Sequence, residues 1–86
     1  MPRLSKFYGI AIYMYYRDHA PPHFHAMYGD DEAIFEIATG VLLEGQLPRR
    51  ARALVADWFV IHRDELRDDW DLAAASQPLR PIPPLD

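Results

Sequence analysis

The 86-residue sequence contains no cysteine. Disulfide bonds are therefore excluded, and so are metal sites with thiolate ligands and enzymes with a cysteine nucleophile. The absence is also typical of proteins that work in a reducing cytosol. Any metal or nucleophilic chemistry must depend on other residue types.

The sequence also lacks a long apolar run. No stretch approaches the roughly 18 consecutive apolar residues of a membrane span, and the first residues lack the apolar core of a signal peptide. We therefore expect a soluble, cytoplasmic protein with no membrane partner.

An excess of positive charge is missing as well. Nine Lys and Arg stand against thirteen Asp and Glu, which gives a formal net charge of −4. Non-specific coating of nucleic acid is disfavoured, because it requires many cations that neutralise phosphates together. A local basic patch is still possible, since Arg49, Arg50 and Arg52 are clustered.

Apolar and aromatic residues are abundant. Half of the chain is hydrophobic, with five Tyr, four Phe and two Trp. A chain this short buries only about 60% of the surface that its unfolded form exposes, so it forms one core. We predict a single domain over residues 1–86, with an N-terminal arm at 1–6 and an extended, proline-rich tail at 77–86.

Alternation of apolar and polar residues predicts four strands. They cover residues 7–17, 23–28, 33–37 and 41–44, and the pair Pro21-Pro22 separates the first two because proline cannot donate to a strand ladder. Short connections with glycine at 29 and 40 favour an antiparallel meander.

The period changes after Leu47. Pro48 suits a first helical turn, and apolar residues then recur at helical spacing to about Ala75. A straight helix of that length would span about 40 Å, so we expect a break around residues 62–64. The predicted fold is α+β, a four-stranded antiparallel meander followed by one kinked helix or two helices on one sheet face.

Strand register predicts a cluster on the sheet face opposite the helix. His23 and His25 share a face because strand side chains alternate. Pairing Tyr28 with Ala33, across a loop at 29–32, places Glu36 opposite His25. The first strand adds its odd positions to the same face, which then carries Tyr13, Tyr15, Arg17, His23, His25 and Glu36.

This cluster allows three interpretations. His23 and His25 could bind zinc or another divalent ion, with Glu36 or Asp18 as a third ligand and water in an open position. Alternatively, the cluster could cleave RNA without a metal, with His23 or His25 as general acid, Glu36 as base, Arg17 as phosphate clamp and Tyr15 stacking or donating. In the third interpretation the polar groups are the solvated face of a non-catalytic interaction or regulatory module.

A second candidate site lies at the predicted helix start. Arg49 and Arg50 stand beside a helix N-terminus, where the helix dipole disfavours positive charge. A bound phosphate would compensate, which makes these residues candidates for anion binding. Pairing with Glu44 or Asp57, or plain exposure, is the alternative.

Several segments resemble one family. The stretches FYGIAIYMYYRDHAPPHFHAMYGD, ATGVLLEGQLPRRA, HRDEL and PIPPL are similar to those of small bacterial proteins grouped as domain of unknown function 4160. Members are often encoded beside another small protein, in pairs that look like toxin–antitoxin modules. The resemblance implies a small protein partner and action on RNA or DNA. A homo-oligomer is a separate alternative. Our leading hypothesis is a component of such a pair, with the histidine face as its site.

Overall fold

The computed structural model describes residues 2–86 and contains five strands and one helix. The elements are β1 (Arg3–Phe7), β2 (Ile10–Tyr13), β3 (His23–Tyr28), β4 (Asp31–Glu36), β5 (Leu42–Gly45) and α1 (Arg49–Ala74). The strands form one sheet in the order β1-β2-β3-β4-β5, and each is antiparallel to the next. The predicted α+β meander is confirmed, but it has five strands and not four.

The additional strand comes from a hairpin inside the predicted first strand. Phe7 pairs with Ile10 across a two-residue turn, in which Tyr8 and Gly9 have φ values of 51° and 80°. Positive φ at both positions is typical of a type I′ hairpin turn. A two-residue turn does not interrupt the alternation of apolar and polar residues. For this reason the sequence pattern did not reveal the turn between β1 and β2. The predicted N-terminal arm is therefore largely strand β1.

The β3–β4 hairpin is tighter than predicted. Tyr28 pairs with Asp31 and not with Ala33, so the turn is Gly29-Asp30, with a φ of 59° at Gly29. A glycine with positive φ at the first turn position fits a type II′ hairpin. The register moves by two residues, so each side chain keeps its face. His23 rather than His25 now lies opposite Glu36.

Helix α1 packs on the face that carries the large apolar side chains. Trp58 is fully buried, and its ring lies 5.4 Å from the ring of Phe7 and 5.9 Å from the ring of Phe24. Sheet residues Ile10, Ile12 and Phe35 belong to the same cluster. The hydrophobic core therefore lies between the sheet and one side of the helix, as predicted.

The helix is a single element with a kink at His62. The backbone of His62 has φ −113° and ψ 18°, outside the helical range. A straight helix of 26 residues would be about 39 Å long, whereas the longest dimension of the molecule is 34 Å. The predicted break is confirmed as a kink. Within residues 2–86, no helix has the length and hydropathy needed to cross a membrane.

The C-terminal tail packs against the domain. The backbone N–H of Ile82 donates to the carbonyl oxygen of Leu4 over 2.8 Å, and the Trp58 indole donates to the carbonyl oxygen of Pro83 over 2.9 Å. The N–H of Arg80 donates to Asp69 Oδ1 over 2.9 Å. These bonds attach the tail to both β1 and α1.

Candidate metal centre

The histidine face of the sheet is covered by the segment that joins β2 to β3. In this segment, residues 14–22, Tyr15 packs its ring 4.5 Å from the ring of His25 and Asp18 reaches His23. His23 is 3% exposed and His25 is 9% exposed. The prediction of an open, solvated face is therefore wrong for this part of the sheet, because the connecting segment folds back over it.

Both nitrogens of His23 have polar neighbours. Nδ1 lies 2.7 Å from the carbonyl oxygen of Pro21, and Nε2 lies 2.8 Å from Asp18 Oδ2. A carbonyl oxygen only accepts, so Nδ1 carries the hydrogen of this bond. The neutral ring then points the lone pair of Nε2 at a carboxylate oxygen. Only a cation between these two atoms, a proton or a metal ion, makes that contact favourable.

His25 is oriented in the same way. Its Nδ1 lies 3.1 Å from Glu32 Oε2, which as a carboxylate oxygen accepts the hydrogen bond. Its Nε2 is buried and has no hydrogen-bond partner among the described residues. The nearest acidic oxygen to that nitrogen is Asp18 Oδ2, 3.7 Å away. Such a separation is too long for a hydrogen bond.

Three potential ligand atoms therefore converge. One atom each from Asp18, His23 and His25 lies within 4.8 Å of the other two. Two imidazoles and one carboxylate are ligands of zinc and other first-row transition metals. Each ring also donates from its other nitrogen to a carbonyl or a carboxylate, as metal-binding histidines usually do. The residues present fit a mononuclear metal ion.

Neighbouring groups affect two ionisable side chains here. Burial acts to raise the pKa of Asp18, but the His19 backbone N–H and the His23 ring outweigh it, so the pKa is lowered. Asp18 is therefore a carboxylate at neutral pH. Burial, followed by the charge of Glu32, raises the pKa of Tyr15. Its phenol keeps its proton and remains a hydrogen-bond donor.

A pocket is lined by Asp18, His23 and His25. Its volume is about 580 Å³, within the range of roughly 300–1,000 Å³ for small-molecule sites. Its walls come from the covering segment, from β3 and β4, and from the edge strand β5. The lining residues are Tyr15, Asp18, His19, Pro21, His23, His25, Glu32, Ile34, Leu43 and Glu44.

The structure brings together only some of the predicted site residues. Tyr15, His23 and His25 line the pocket, whereas Arg17 and Glu36 do not. Arg17 donates from Nε to Ser76 Oγ over 2.7 Å. Glu36 lies opposite His23 in the sheet, but its carboxylate accepts a 2.6 Å hydrogen bond from Thr39.

Sequence reasoning missed Glu32, the acceptor for His25. The sequence prediction assigned this residue to the loop at 29–32 and not to the strand. A two-residue turn at Gly29-Asp30 would have placed Glu32 at an even position of β4, on the same face as Ile34 and the histidines. The Gly-Asp pair was the available signal, because glycine leads such turns.

The predicted anion site is separate from the histidine pocket. Arg49 is the first residue of α1, and Arg49 and Arg50 are both exposed. Arg50 lines a smaller pocket of about 230 Å³ together with Tyr8 and Tyr28. Phosphate binding at these arginines stays a prediction.

Comparison with known families adds an assignment. A family model described as domain of unknown function DUF4160 matches residues 9–71. The chain belongs to the DUF4160 family. The match begins before β2 and ends within α1, so the three converging residues Asp18, His23 and His25 of this DUF4160 domain lie inside it. No curated protein and no solved structure gave a match.

Proposed function

We propose that this protein binds one divalent transition-metal ion through His23 Nε2, His25 Nε2 and Asp18 Oδ2. The supporting observation is the common direction of the two rings. Each Nδ1 faces a hydrogen-bond acceptor, and each Nε2 turns toward the same carboxylate oxygen. This pattern fixes the tautomer that a metal-binding imidazole needs.

A metal ion explains the geometry better than a structural ion pair does. A proton can join His23 to Asp18, which lie 2.8 Å apart. It does not satisfy His25 Nε2, which is buried, unpartnered and 3.7 Å from the same oxygen. An unpartnered buried nitrogen is costly. One cation in contact with all three atoms satisfies every one of them.

The ligand set indicates the class of metal ion and its role. Imidazole ligands favour zinc, iron, nickel or copper over magnesium and calcium, which prefer oxygen ligands. Three protein ligands leave a coordination position open, as in catalytic zinc sites, where bound water becomes a nucleophile near neutral pH. The adjoining pocket has room for a substrate. The protein is accordingly proposed to be a metal-dependent enzyme acting on a small molecule.

Metal titration of protein without a histidine tag tests the site. The chelator-treated protein is titrated with zinc in a calorimeter, and we expect one ion per chain. One proposed ligand is replaced at a time, in His23→Ala, His25→Ala or Asp18→Asn. Each replacement should weaken zinc binding roughly 100-fold. This loss corresponds to about a quarter of the binding free energy of a zinc site with four ligands.

One matched variant serves as the control for this titration. Glu36→Gln removes a carboxylate on the same sheet face that binds Thr39 instead. This variant should bind zinc like the unmodified protein. Absence of binding, or equal binding by all variants, would refute the proposed site.

The toxin–antitoxin hypothesis stays a prediction. Its RNA-cleaving set needs Arg17 beside the histidines, and Arg17 instead contacts Ser76 outside the pocket. A small protein partner, a homo-oligomer and a cytoplasmic location are likewise predictions that no described contact supports. The geometry favours the metal-dependent function.

A further inference from the structure

A row of side chains crosses the sheet beneath the pocket. His25 of β3 pairs with Ile34 of β4, and Ile34 pairs with Glu44 of β5. Directly paired residues of antiparallel strands share a face. With a strand spacing of about 4.8 Å, Glu44 lies roughly 10 Å from His25. The row therefore runs from a proposed metal ligand, across an apolar residue, to an acid.

A bulge in β5 adds a second apolar wall. The register shifts between the pairs Ile34–Glu44 and Phe35–Leu42, so Leu43 is the extra residue. Bulges redirect side chains at sheet edges, and here Leu43 lines the pocket together with Glu44. Leu43, Ile34 and Pro21 contribute apolar surface to the pocket.

The two ends of the pocket differ in charge once a metal ion is bound. At the metal end, a divalent ion offsets the negative charges of Asp18 and of Glu32, whose carboxylate lies 3.1 Å from His25 Nδ1. At the other end, Glu44 is acidic, and no Lys or Arg occurs among the lining residues that the structure describes. An anionic tail such as a phosphate would meet the Glu44 carboxylate there.

The acidic end of the pocket and a proposed metal ligand line the same space. His25 lines the same pocket, is 9% exposed, and leaves Nε2 without a partner among residues 2–86. An unpartnered buried nitrogen calls for a bound group, which the proposed metal ion supplies beside the pocket. The polar ends and the apolar surface thus belong to one space.

We infer that the pocket takes a small, elongated ligand that carries an electron-rich oxygen donor at one end and an ammonium or guanidinium group at the other. The oxygen binds the metal ion, an apolar chain crosses Ile34 and Leu43, and the cation pairs with Glu44. This inference rests on the proposed metal site, whose own test is the zinc titration.

Three hydroxamates with alkyl chains of matched length test which charge the far end of the pocket prefers. Hydroxamates bind metal ions through oxygen, so the head group is constant. The tail is cationic in 6-aminohexanohydroxamate, neutral in heptanohydroxamate and anionic in the monohydroxamate of heptanedioic acid. Calorimetry on the zinc-loaded protein should rank them in that order, with the cationic tail about fivefold tighter than the neutral one, as expected for an exposed ion pair.

Two variants locate the effect. Glu44→Gln should reduce the preference for the cationic tail to about twofold or less and leave the affinity for heptanohydroxamate unchanged. Glu36→Gln, a carboxylate outside the pocket, should keep the full preference. Equal affinities, a reversed order, or a preference that survives Glu44→Gln would overturn the inference.

Failure of the proposed metal site can be distinguished from failure of the ligand inference. If the protein binds no zinc, none of the hydroxamates binds and the proposed function falls with the inference. If zinc binds and heptanohydroxamate does not, the metal site stands and the pocket is not its ligand site. That second result overturns the inference alone.

Discussion

His23 Nε2 lies 2.8 Å from Asp18 Oδ2, while Nδ1 of the same ring lies 2.7 Å from the carbonyl oxygen of Pro21. Both contacts come from the segment that connects β2 to β3. The segment thus orients the ring from two sides and supplies a third ligand atom next to it. The cluster consists of a strand with two imidazoles and a loop that closes over them.

Removing the acceptor for His25 should weaken metal binding. Glu32 holds Nδ1 of that ring at 3.1 Å, and loss of such a partner commonly costs 10- to 100-fold in metal affinity. Glu32→Ala should bind zinc roughly 10-fold more weakly in a calorimetric titration. Glu32→Gln keeps an accepting oxygen and should lose less. Equal affinity of Glu32→Ala and unmodified protein would show that the contact does not orient the ring.

Zinc should stabilise the folded protein through the same site. A ligand that binds only the native state, at 100 times its Kd, adds about 2.7 kcal/mol to the free energy of unfolding. For a chain of 86 residues this raises Tm by roughly 10–20 °C. Differential scanning calorimetry of the chelated and zinc-loaded protein measures the shift. Asp18→Asn should abolish most of it, and a shift that persists in that variant would place the ion elsewhere.

Asp69 should make stability depend on pH. It is 1% exposed, its Oδ2 has no partner among the described residues, and burial raises its pKa above the ordinary value of an aspartate. A raised carboxyl pKa favours folding below the unfolded value and loses that contribution as pH rises through the folded value. The Tm of Asp69→Asn, measured relative to that of the unmodified protein, should therefore increase when the pH rises from 4 to 7.5.

The exposed residue Asp57 of α1 provides the control for this pH series. Asp57→Asn should show the same difference in Tm from unmodified protein at both pH values. If Asp69→Asn also shows a difference that does not change with pH, the Asp69 carboxyl is not the group responsible.

Trp58 should contribute to stability through both packing and its indole. The side chain is fully buried and donates to the carbonyl oxygen of Pro83. Trp58→Phe removes the donor and leaves a small void, at a cost of roughly 1–3 kcal/mol. Urea denaturation measures the loss. Tyr16→Phe, at a ring that is 44% exposed, should change the free energy of unfolding by less than about 0.5 kcal/mol.

Much of the fold follows from local pattern. The six residues of β3, the kink at His62 and the meander order were all predictable, because period-2 and helical spacing are strong signals. The hairpin at Tyr8-Gly9 was not, since a two-residue turn preserves the alternation on both sides. The predicted length of the Gly29 turn also caused the register error, which placed Glu36 opposite His25 when it lies opposite His23.

The candidate site was predictable only in part. Alternation alone places His23 and His25 on one face. The fold of the 14–22 segment depends on tertiary contacts, such as that of the Arg17 N–H with the Ala73 carbonyl oxygen at 3.3 Å. No periodicity in the sequence reports such contacts. For this reason Asp18 was only one option for a third ligand. Arg17 was predicted on the strand face that carries the histidines, whereas its side chain contacts Ser76.

Long-range ¹H–¹⁵N NMR of the imidazole rings tests the central claim most directly, because it distinguishes the four histidines and their tautomers. We predict that stoichiometric zinc shifts the Nε2 resonances of His23 and His25, keeps both rings protonated at Nδ1, and leaves those of His62, outside the pocket, unchanged. Unchanged spectra for His23 and His25, or metal bound at their Nδ1 atoms, would contradict the proposed metal site.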